Sequence, residues 1–262
     1  MSNDLTLLRD TILEAGDIAR GFWREGAQVW DKGHGAGPVT EADLAVDDHV
    51  KSRLMAARPQ FGWLSEETED TPARLDQDQV FIVDPIDGTR SFVAGEKTWA
   101  ISLAVVTSGK PTAAAIYLPV HDKLYLAATG KGATLNDRAI SASATTAIDG
   151  ATVLAARPNF DARNWHHGTP PLARHFRSSL AYRLALVAEG AFDAMLTLRP
   201  TWEWDVAAGH LIAHEAGAIV SDQNGLPARF NNPTPKIDGM LAAAGGVHQG
   251  ILGQLANSAS GA

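Results

Sequence analysis

The chain has 262 residues and a formal net charge of −8 at pH 7; 45% of its residues are hydrophobic and 20% are charged. This composition is ordinary for a soluble globular protein, and the length allows one large domain or two lobes. The negative charge disfavours binding to a nucleic-acid polymer or an anionic membrane, and the absence of cysteine excludes disulfides, thiolate zinc sites and cysteine nucleophiles.

The first half of the chain predicts helices packed on an antiparallel sheet. Apolar residues at helical spacing indicate a helix over residues 5–23, and a second helix is expected over residues 40–58, where Pro59 ends it. A Gly-rich loop, "KGHGAGP", lies between the two helices. Strand-like segments joined by short turn sequences follow at residues 80–83, 99–107, 112–118 and 123–128.

The second half alternates strands with helices, which predicts an α/β lobe. Helices are expected at residues 178–189, 205–216 and 246–256. Strands are expected at residues 151–156, 192–196, 217–220 and 239–244. The Ser-, Ala- and Thr-rich segment "SASATTAIDG" separates the two halves. We therefore expect an N-terminal α+β lobe over residues 1–142 and a C-terminal α/β lobe over residues 143–262.

The segment "VFIVDPIDGTRSF", residues 80–92, runs from an apolar strand into two carboxylates, Asp84 and Asp87. Pro85 lacks a backbone donor and holds the preceding residue extended, so the strand is expected to end at Asp84. A tight turn would then bring Asp87 close, and two buried anions that converge need a hard divalent cation between them. The alternative is that the stretch is only a turn, because Asp, Pro and Gly are common turn residues.

Three further acidic groups have both a functional and a purely structural interpretation. Glu66 and Glu67 follow a short apolar segment and would point to opposite sides of an extended backbone, but they also fit an acidic surface loop. Thr40 and Asp43 have the spacing of a helix-capping box. Asp205 opens a predicted helix, where the helix dipole favours an acid without any catalytic role.

Four motifs in this order, "PVTEAD", "LSEE", "VDPIDGTRSF" and "WDVAAG", resemble the signature of the lithium-sensitive, magnesium-dependent phosphomonoesterases that include the inositol monophosphatases. The resemblance extends over nearly the whole chain. It implies a layered αβαβα sandwich that combines α+β and α/β parts, and a monomer or homodimer that acts on a small phosphorylated substrate. No targeting or membrane-spanning segment is recognisable, so we expect a cytoplasmic protein, either free or peripheral at the inner membrane.

The resemblance also implies a role for each residue of the site. Two or three Mg²⁺ ions would be held by four carboxylates and one backbone carbonyl: Glu66, Asp84, Ile86, Asp87 and Asp205. Asp43 would help to bind the weaker ion through water and would orient Thr89, which positions the attacking water. Glu67 or Glu66 would accept the proton of that water. The substrate would contact five residues near these motifs: Gly88, Thr89, Arg90, Ser178 and Ser179.

The substrate is indicated by residues outside the metal ligands. Inositol-specific relatives have an acidic residue seven positions before the last aspartate, and that position here is Leu198, which cannot accept hydrogen bonds from sugar hydroxyls. The motifs "LSEE" and "SSLAYRLALVAEG", the pair Pro200-Thr201 and the cation Arg90 instead resemble bacterial 3'(2'),5'-bisphosphate nucleotidases. These enzymes convert 3'-phosphoadenosine 5'-phosphate to AMP in sulfur assimilation. The alternatives are an inositol monophosphatase, a histidinol phosphatase and a non-catalytic regulatory relative.

Some residues near these motifs have open interpretations. Arg177 stands where the nucleotidases usually have glycine, which changes the expected pocket wall near Ser178. Trp202 and Trp204 could stack on adenine or belong to the core. The histidines at positions 210 and 214 are four residues apart on a predicted helix, but the family uses oxygen ligands, so we interpret them as packing or surface residues.

Overall fold

The computed structural model describes residues 3–31, 33 and 37–256, so most of the loop "KGHGAGP" lies outside the described residues. Within the described residues there are six α-helices: α1 Asn3–Glu25, α2 Glu41–Ala57, α3 Thr89–Val93, α4 Leu180–Ala188, α5 Glu203–Glu215 and α6 Gly245–Leu252. The five longer helices confirm the helices predicted from apolar periodicity. None of the described helices is long and apolar enough to cross a membrane.

A seven-stranded sheet forms the first half of the described chain, and its strands lie in the order β3-β4-β5-β6-β7-β8-β9. The strands are β3 Gly62–Ser65, β4 Gln79–Asp87, β5 Ala100–Thr107, β6 Lys110–Leu118, β7 Lys123–Ala128, β8 Ala133–Leu135 and β9 Arg138–Ile140. Strands β4 to β9 pair antiparallel, which confirms the predicted meander. Only β3 pairs parallel to its neighbour, β4, within this sheet. A separate pair, β1 Val29–Asp31 and β2 Pro38–Thr40, leads into α2.

A five-stranded sheet forms the second half, in the order β11-β10-β12-β14-β13. The strands are β10 Thr152–Ala155, β11 Ala173–His175, β12 Ala194–Trp202, β13 Ile219–Ser221 and β14 Lys236–Ala243. Strands β10, β11 and β12 are parallel, whereas β12, β14 and β13 are antiparallel. The alternation of strands and helices therefore produces a mixed sheet, and β12 continues six residues beyond the predicted strand end at residue 196.

The elements stack in five layers, as expected for an αβαβα sandwich. Helices α1 and α2 pack on one face of the seven-stranded sheet, and α4 and α5 fill the space between the two sheets. Helix α6 covers the outer face of the five-stranded sheet. Successive side chains of β4 point to opposite faces of the sheet. Phe81 and Val83 face α1 and α2, whereas Val80 and Ile82 face α4 and α5. The same alternation directs Asp84 towards the central helices.

Strand β4 differs from its prediction because it does not end before Pro85. It continues to Asp87, with Asp84 opposite Ser102 and Asp87 opposite Ala100 on β5. Two residues of β4 therefore lie opposite one residue of β5, which is a β-bulge, and a bulge accommodates a proline that cannot donate a ladder hydrogen bond. The interpretation of this stretch as a tight turn is wrong.

The bulge explains how Asp84 and Asp87 come to share one face of the sheet. Residues three positions apart on a regular strand point to opposite faces, and one extra residue restores the same side. Gly88 then has a φ of 100° and precedes the short helix α3. This left-handed conformation is one that glycine adopts without the strain of a side chain.

Candidate metal centre

Three carboxylates meet where β4 and α5 approach each other. Asp84, Asp87 and Asp205 each offer an oxygen atom, and these oxygens lie within 4.8 Å of one another. Asp205 is in the first turn of α5, which begins directly after β12. The hydroxyl of Ser102 on β5 donates to the backbone oxygen of Trp204 over 3.2 Å, which holds the start of α5 beside β4.

The environment of Asp84 disfavours a negative charge in the protein alone. Its Oδ1 accepts from the backbone N–H of Ile86 over 3.0 Å, but its buried Oδ2 has no hydrogen-bond partner. Burial, and then the charges of Glu66 and Asp87, raise the pKa of Asp84 well above its usual range. A buried carboxylate oxygen without a donor is what a divalent cation would satisfy.

The two other carboxylates show the same effect to different extents. Burial raises the pKa of Asp87 to about 6, although hydrogen bonds from the Ser179 hydroxyl and the Ala181 N–H oppose this shift. Burial, followed by the charges of Asp87 and Glu66, raises the pKa of Asp205, and nearby arginines offset this only in part. The negative charges of the three carboxylates therefore repel one another in the protein alone, and a hard cation bound between them would remove this repulsion.

Glu66 reaches the same region through the parallel pairing of β3 with β4. Its backbone N–H donates to the carbonyl of Val83 over 3.2 Å, which extends the strand pairing by one residue. Glu66 lines the cavity that contains the three aspartates, whereas Glu67 is not among its lining residues. Of the two adjacent glutamates, Glu66 is thus the one in position to contact a cation beside Asp84.

Thr40, Asp43 and Thr89 form a connected group behind the carboxylates. Asp43 Oδ2 accepts from the backbone N–H of Thr40 over 2.8 Å and from its hydroxyl over 2.6 Å, and Thr40 caps α2 as predicted. The hydroxyl of Thr89 lies 3.3 Å from Asp43 Oδ1 and 3.1 Å from the carbonyl oxygen of Ile86. Asp43 therefore completes the capping box of α2, which confirms the structural interpretation, and it also contacts Thr89, which is compatible with the functional one.

The two serines before α4 have different positions. Ser178 lines the cavity, and its hydroxyl donates to the carbonyl of Thr98 over 2.8 Å. Ser179 is fully buried, donates to Asp87 Oδ2 over 2.7 Å and accepts from the N–H of Tyr182 over 2.9 Å as the cap of α4. Its position favours orientation of Asp87 over direct contact with a substrate.

The cavity beside the carboxylates has a volume of about 1180 Å³ and contains both cationic and apolar walls. Five arginines line it: Arg90, Arg163, Arg177, Arg183 and Arg199. Leu198 also lines it, as do the apolar side chains of Pro158, Phe176, Leu180 and Trp202. Among these arginines the sequence assigned a substrate contact to Arg90 alone, although Arg177 stood out as a departure from the nucleotidase pattern and Arg183 lies within the motif "SSLAYRLALVAEG".

Trp202 does not offer a free surface to a planar ligand. Its ring stacks on Trp204 with the centroids 4.7 Å apart and the planes at 10°. The Nζ of Lys236 lies 4.0 Å from the centroid of the Trp202 ring, and it must be on the opposite face because two rings 4.7 Å apart leave no space between them. This arrangement disfavours stacking of Trp202 on adenine, and that hypothesis stays a prediction.

The interpretation of the two α5 histidines as packing or surface residues is supported. The ring of His210 contacts Phe230 edge to face at a centroid distance of 5.3 Å. Burial, followed by the charge of His214, lowers the pKa of His210 to about 4.

Comparisons with known proteins show what the chain is similar to. Residues 2–260 match the model of the inositol monophosphatase family. The inositol-1-monophosphatase of Rhizobium meliloti is 35% identical over 233 residues, which are 84% of this chain and 86% of that protein. The Nus factor SuhB of Escherichia coli K12 is 34% identical over 198 residues, which are 71% of this chain and 72% of that protein.

Two solved structures have the same fold. The suppressor protein SuhB of Bartonella henselae has a TM-score of 0.83 and 29% identity, covering 96% of this chain and 97% of that chain. An IMPase of Thermotoga maritima has a TM-score of 0.81 and 25% identity, covering 95% of this chain and 94% of that chain.

Proposed function

Because this chain belongs to the inositol monophosphatase family of metal-dependent phosphomonoesterases, we propose that it uses Mg²⁺ to hydrolyse a nucleoside bisphosphate. The proposed substrate is 3'-phosphoadenosine 5'-phosphate, and the products are AMP and phosphate. This reaction belongs to sulfur assimilation, and we expect lithium to inhibit it, as the resemblance to the lithium-sensitive family implies.

One observation carries the choice of substrate: Leu198 and five arginines line the cavity that contains the metal-site carboxylates. Leu198 occupies the position at which inositol-specific relatives have an acid, so the wall cannot accept hydrogen bonds from a sugar ring there. An arginine pairs with a phosphate through charge-assisted, often bidentate hydrogen bonds. A substrate with a second phosphate uses these arginines, whereas inositol 1-phosphate leaves them without a ligand.

Two of the arginines are well suited to this contact. Arg90 and Arg199 are exposed at the cavity, and within the described part of the chain neither forms a salt bridge with a carboxylate. Arg163 is also exposed, with its Nη2 3.6 Å from a carboxylate oxygen of Asp161. A solvent-exposed pair of this kind contributes little free energy, so a dianionic phosphate can replace it.

The metal site follows from the carboxylates. Asp84 would bridge two ions, with Glu66 on one side and Asp87 and Asp205 on the other. Oxygen ligands and a buried, partnerless Oδ2 on Asp84 suit Mg²⁺, which prefers carboxylates, carbonyls and water. When bound, Mg²⁺ neutralises the phosphate and lowers the pKa of an attacking water.

The protein residues would orient the attack. The Thr89 hydroxyl donates to Asp43 or to the Ile86 carbonyl, so its lone pair remains to accept a proton of the water. The water oxygen then forms a bond to phosphorus while the bond from phosphorus to the 3'-oxygen breaks, and the proton that the water gives up is passed on to that leaving oxygen. Glu66, at the cavity, is the proposed proton acceptor.

Inositol 1-phosphate is the second candidate substrate. Two relatives that are 35% and 32% identical, from Rhizobium meliloti and Mesorhizobium japonicum, have the name inositol-1-monophosphatase. These names favour a sugar-alcohol phosphate as substrate. Leu198 disfavours it, because this side chain cannot accept hydrogen bonds from the hydroxyl groups of the ring.

The experiment is a comparison of phosphate release from 3'-phosphoadenosine 5'-phosphate, inositol 1-phosphate and histidinol phosphate with Mg²⁺, repeated with lithium. We expect the highest kcat/KM for the bisphosphate nucleotide. A clearly higher kcat/KM for either other substrate contradicts the nucleotide proposal. Release from none of the three favours a regulatory protein that keeps the fold.

A further inference from the structure

Phe176 is a half-exposed aromatic side chain on the wall of the cavity. Its relative exposure is 51%, and it precedes α4 in the segment that also contains the two serines. The guanidinium carbon of Arg183 lies 4.7 Å from the centroid of its ring. Among the described residues no other ring or cation packs on it, so one face is covered and the other is open to the cavity.

The backbone around Phe176 is held on both sides. Arg183 is buried and donates from Nε to the carbonyl of Arg177 over 2.6 Å. Arg177 in turn donates from Nη1 to the carbonyl of Phe176 over 2.7 Å. Ser178 then fixes the segment to the carbonyl of Thr98 over 2.8 Å. The ring is therefore held in place before a ligand arrives, which reduces the entropy that binding costs.

The same segment also determines the position of a metal-site carboxylate. Asp87 Oδ2 accepts from the Ser179 hydroxyl over 2.7 Å and from the Ala181 N–H over 2.6 Å. Phe176 is only three residues before Ser179, so the open ring and Asp87 are positioned by the start of one helix. A group that contacts the ring therefore lies in the same cavity as a phosphate at the carboxylates.

Of the aromatic side chains that line the cavity in the described part of the chain, Phe176 alone has an uncovered face. Phe176 and Trp202 are the two aromatic residues that line it among the described residues. Both faces of Trp202 are covered, by Trp204 and by Lys236. An exposed phenylalanine among arginines supplies a flat apolar surface beside cations, which matches a planar base linked to phosphates.

We propose that Phe176, supported from behind by Arg183, binds the planar base of the substrate's leaving group by stacking. This inference rests on the proposed nucleotide substrate and adds a specificity-determining residue to it. The base occupies the open face of the ring, and the arginines of the cavity contact the phosphate on the far side of the ribose. The preference for a nucleotide over a base-free phosphate then depends on Phe176.

The test uses a matched pair of ligands that differ only in the base, AMP and ribose 5-phosphate. Their dissociation constants are measured by titration calorimetry with Mg²⁺ for wild type, Phe176→Ala and Phe176→Trp. We expect wild type to bind AMP about 5-fold to about 150-fold more tightly than ribose 5-phosphate, the range for one stacked base. Phe176→Ala should bring this ratio close to 1, and Phe176→Trp should retain it.

The control is Leu226→Ala, which removes an exposed apolar side chain outside the cavity and should leave the ratio unchanged. Circular dichroism of each variant identifies loss of folding. The inference is overturned if wild type binds both ligands equally, or if Phe176→Ala keeps the wild-type ratio.

These outcomes also separate this inference from the proposed function. If wild type fails to hydrolyse 3'-phosphoadenosine 5'-phosphate but shows a base preference that depends on Phe176, the proposed reaction fails and the stacking site stands. If wild type hydrolyses the nucleotide well and Phe176→Ala keeps the base preference, the reaction stands and the stacking site fails.

Discussion

Replacement of Asp84 by asparagine should stabilise the metal-free protein while it abolishes activity. Oδ1 of the asparagine can still accept from the Ile86 N–H, and its amide group can donate to the carboxylates of Asp87 and Asp205, whose oxygens lie within 4.8 Å of an oxygen of Asp84. The substitution also removes a charge that burial and the neighbouring carboxylates of Glu66 and Asp87 disfavour at this position. The change thus relieves an unfavourable arrangement that the protein retains for metal binding.

The expected change in the free energy of unfolding follows from the one carboxylate oxygen of Asp84 that lacks a hydrogen-bond partner. A buried polar group without a partner costs about 1–3 kcal/mol. We therefore expect Asp84→Asn to raise the free energy of unfolding by about 1–3 kcal/mol at pH 7 in the presence of a chelator. Phosphatase activity should fall by at least about 100-fold, since even changes behind a metal ligand cause losses of 10-fold to 100-fold.

The assay is urea denaturation of both proteins, with chelator and with Mg²⁺. Wild type should gain about 1.4 kcal/mol when free Mg²⁺ is ten times its dissociation constant, and Asp84→Asn should gain less. Asp193→Asn is the matched control, because Asp193 accepts hydrogen bonds from Ser143, Thr145 and Thr152. After allowance for its partial exposure, this substitution should lower the free energy of unfolding by about 1–2 kcal/mol.

The two substitutions are expected to change the free energy of unfolding in opposite directions, so the comparison distinguishes a metal ligand from a structural carboxylate. If Asp84→Asn destabilises the metal-free protein as Asp193→Asn does, Asp84 is an ordinary structural carboxylate and the reasoning is refuted. Activity retained in Asp84→Asn would likewise eliminate its proposed role as the bridging ligand.

Three further predictions concern pH, packing and specificity. Burial opposes ionisation of Asp193, but hydrogen bonds, of which that from Ser143 is the strongest, lower its pKa to about 2. The stabilising effect of the ionised carboxylate is therefore complete above about pH 4 and is lost as the pH falls towards 2. The stability difference between wild type and Asp193→Asn should therefore shrink over this interval in acid urea titrations. Gly209→Ala should lower the free energy of unfolding by about 1–3 kcal/mol despite the higher helix propensity of alanine, because its Cβ would lie 2.5 Å from Leu184 Cδ1; an increase would mean that α4 and α5 can move apart. Leu198→Glu should raise kcat/KM for inositol 1-phosphate relative to the bisphosphate nucleotide, and an unchanged ratio would contradict the role of this wall.

Local sequence patterns were sufficient for the helices and for the antiparallel meander. Apolar spacing predicted α1, and the Thr40-Asp43 pair predicted the start of α2, because both signals depend on residues within one or two turns. The resemblance of the acidic motifs to a family signature implied that Asp84, Asp87 and Asp205 form one site, and the structure brings these three together. The division into lobes at residues 142 and 143 stays a prediction.

Tertiary structure decided how these residues are arranged. The rule that proline ends a strand failed at Pro85, because the pairing of β4 with β5 continues past it through a bulge. That bulge, which depends on the partner strand, puts Asp84 and Asp87 on one face. Likewise, Ser179 has the sequence position of a substrate contact, but docking of α4 buries it behind Asp87.

The sequence alone therefore indicated the reaction class, because four short motifs together resemble the signature of a known phosphomonoesterase family. The walls of the cavity depended on the fold, since Phe176, Arg183 and Leu198 lie in separate segments and line one cavity only when α4 packs beside β12. The sequence also does not indicate that the ring of Phe176 has an open face and that the ring of Trp202 is covered on both faces. Which aromatic face stays free is set by packing between distant segments, and that is a property of the tertiary structure.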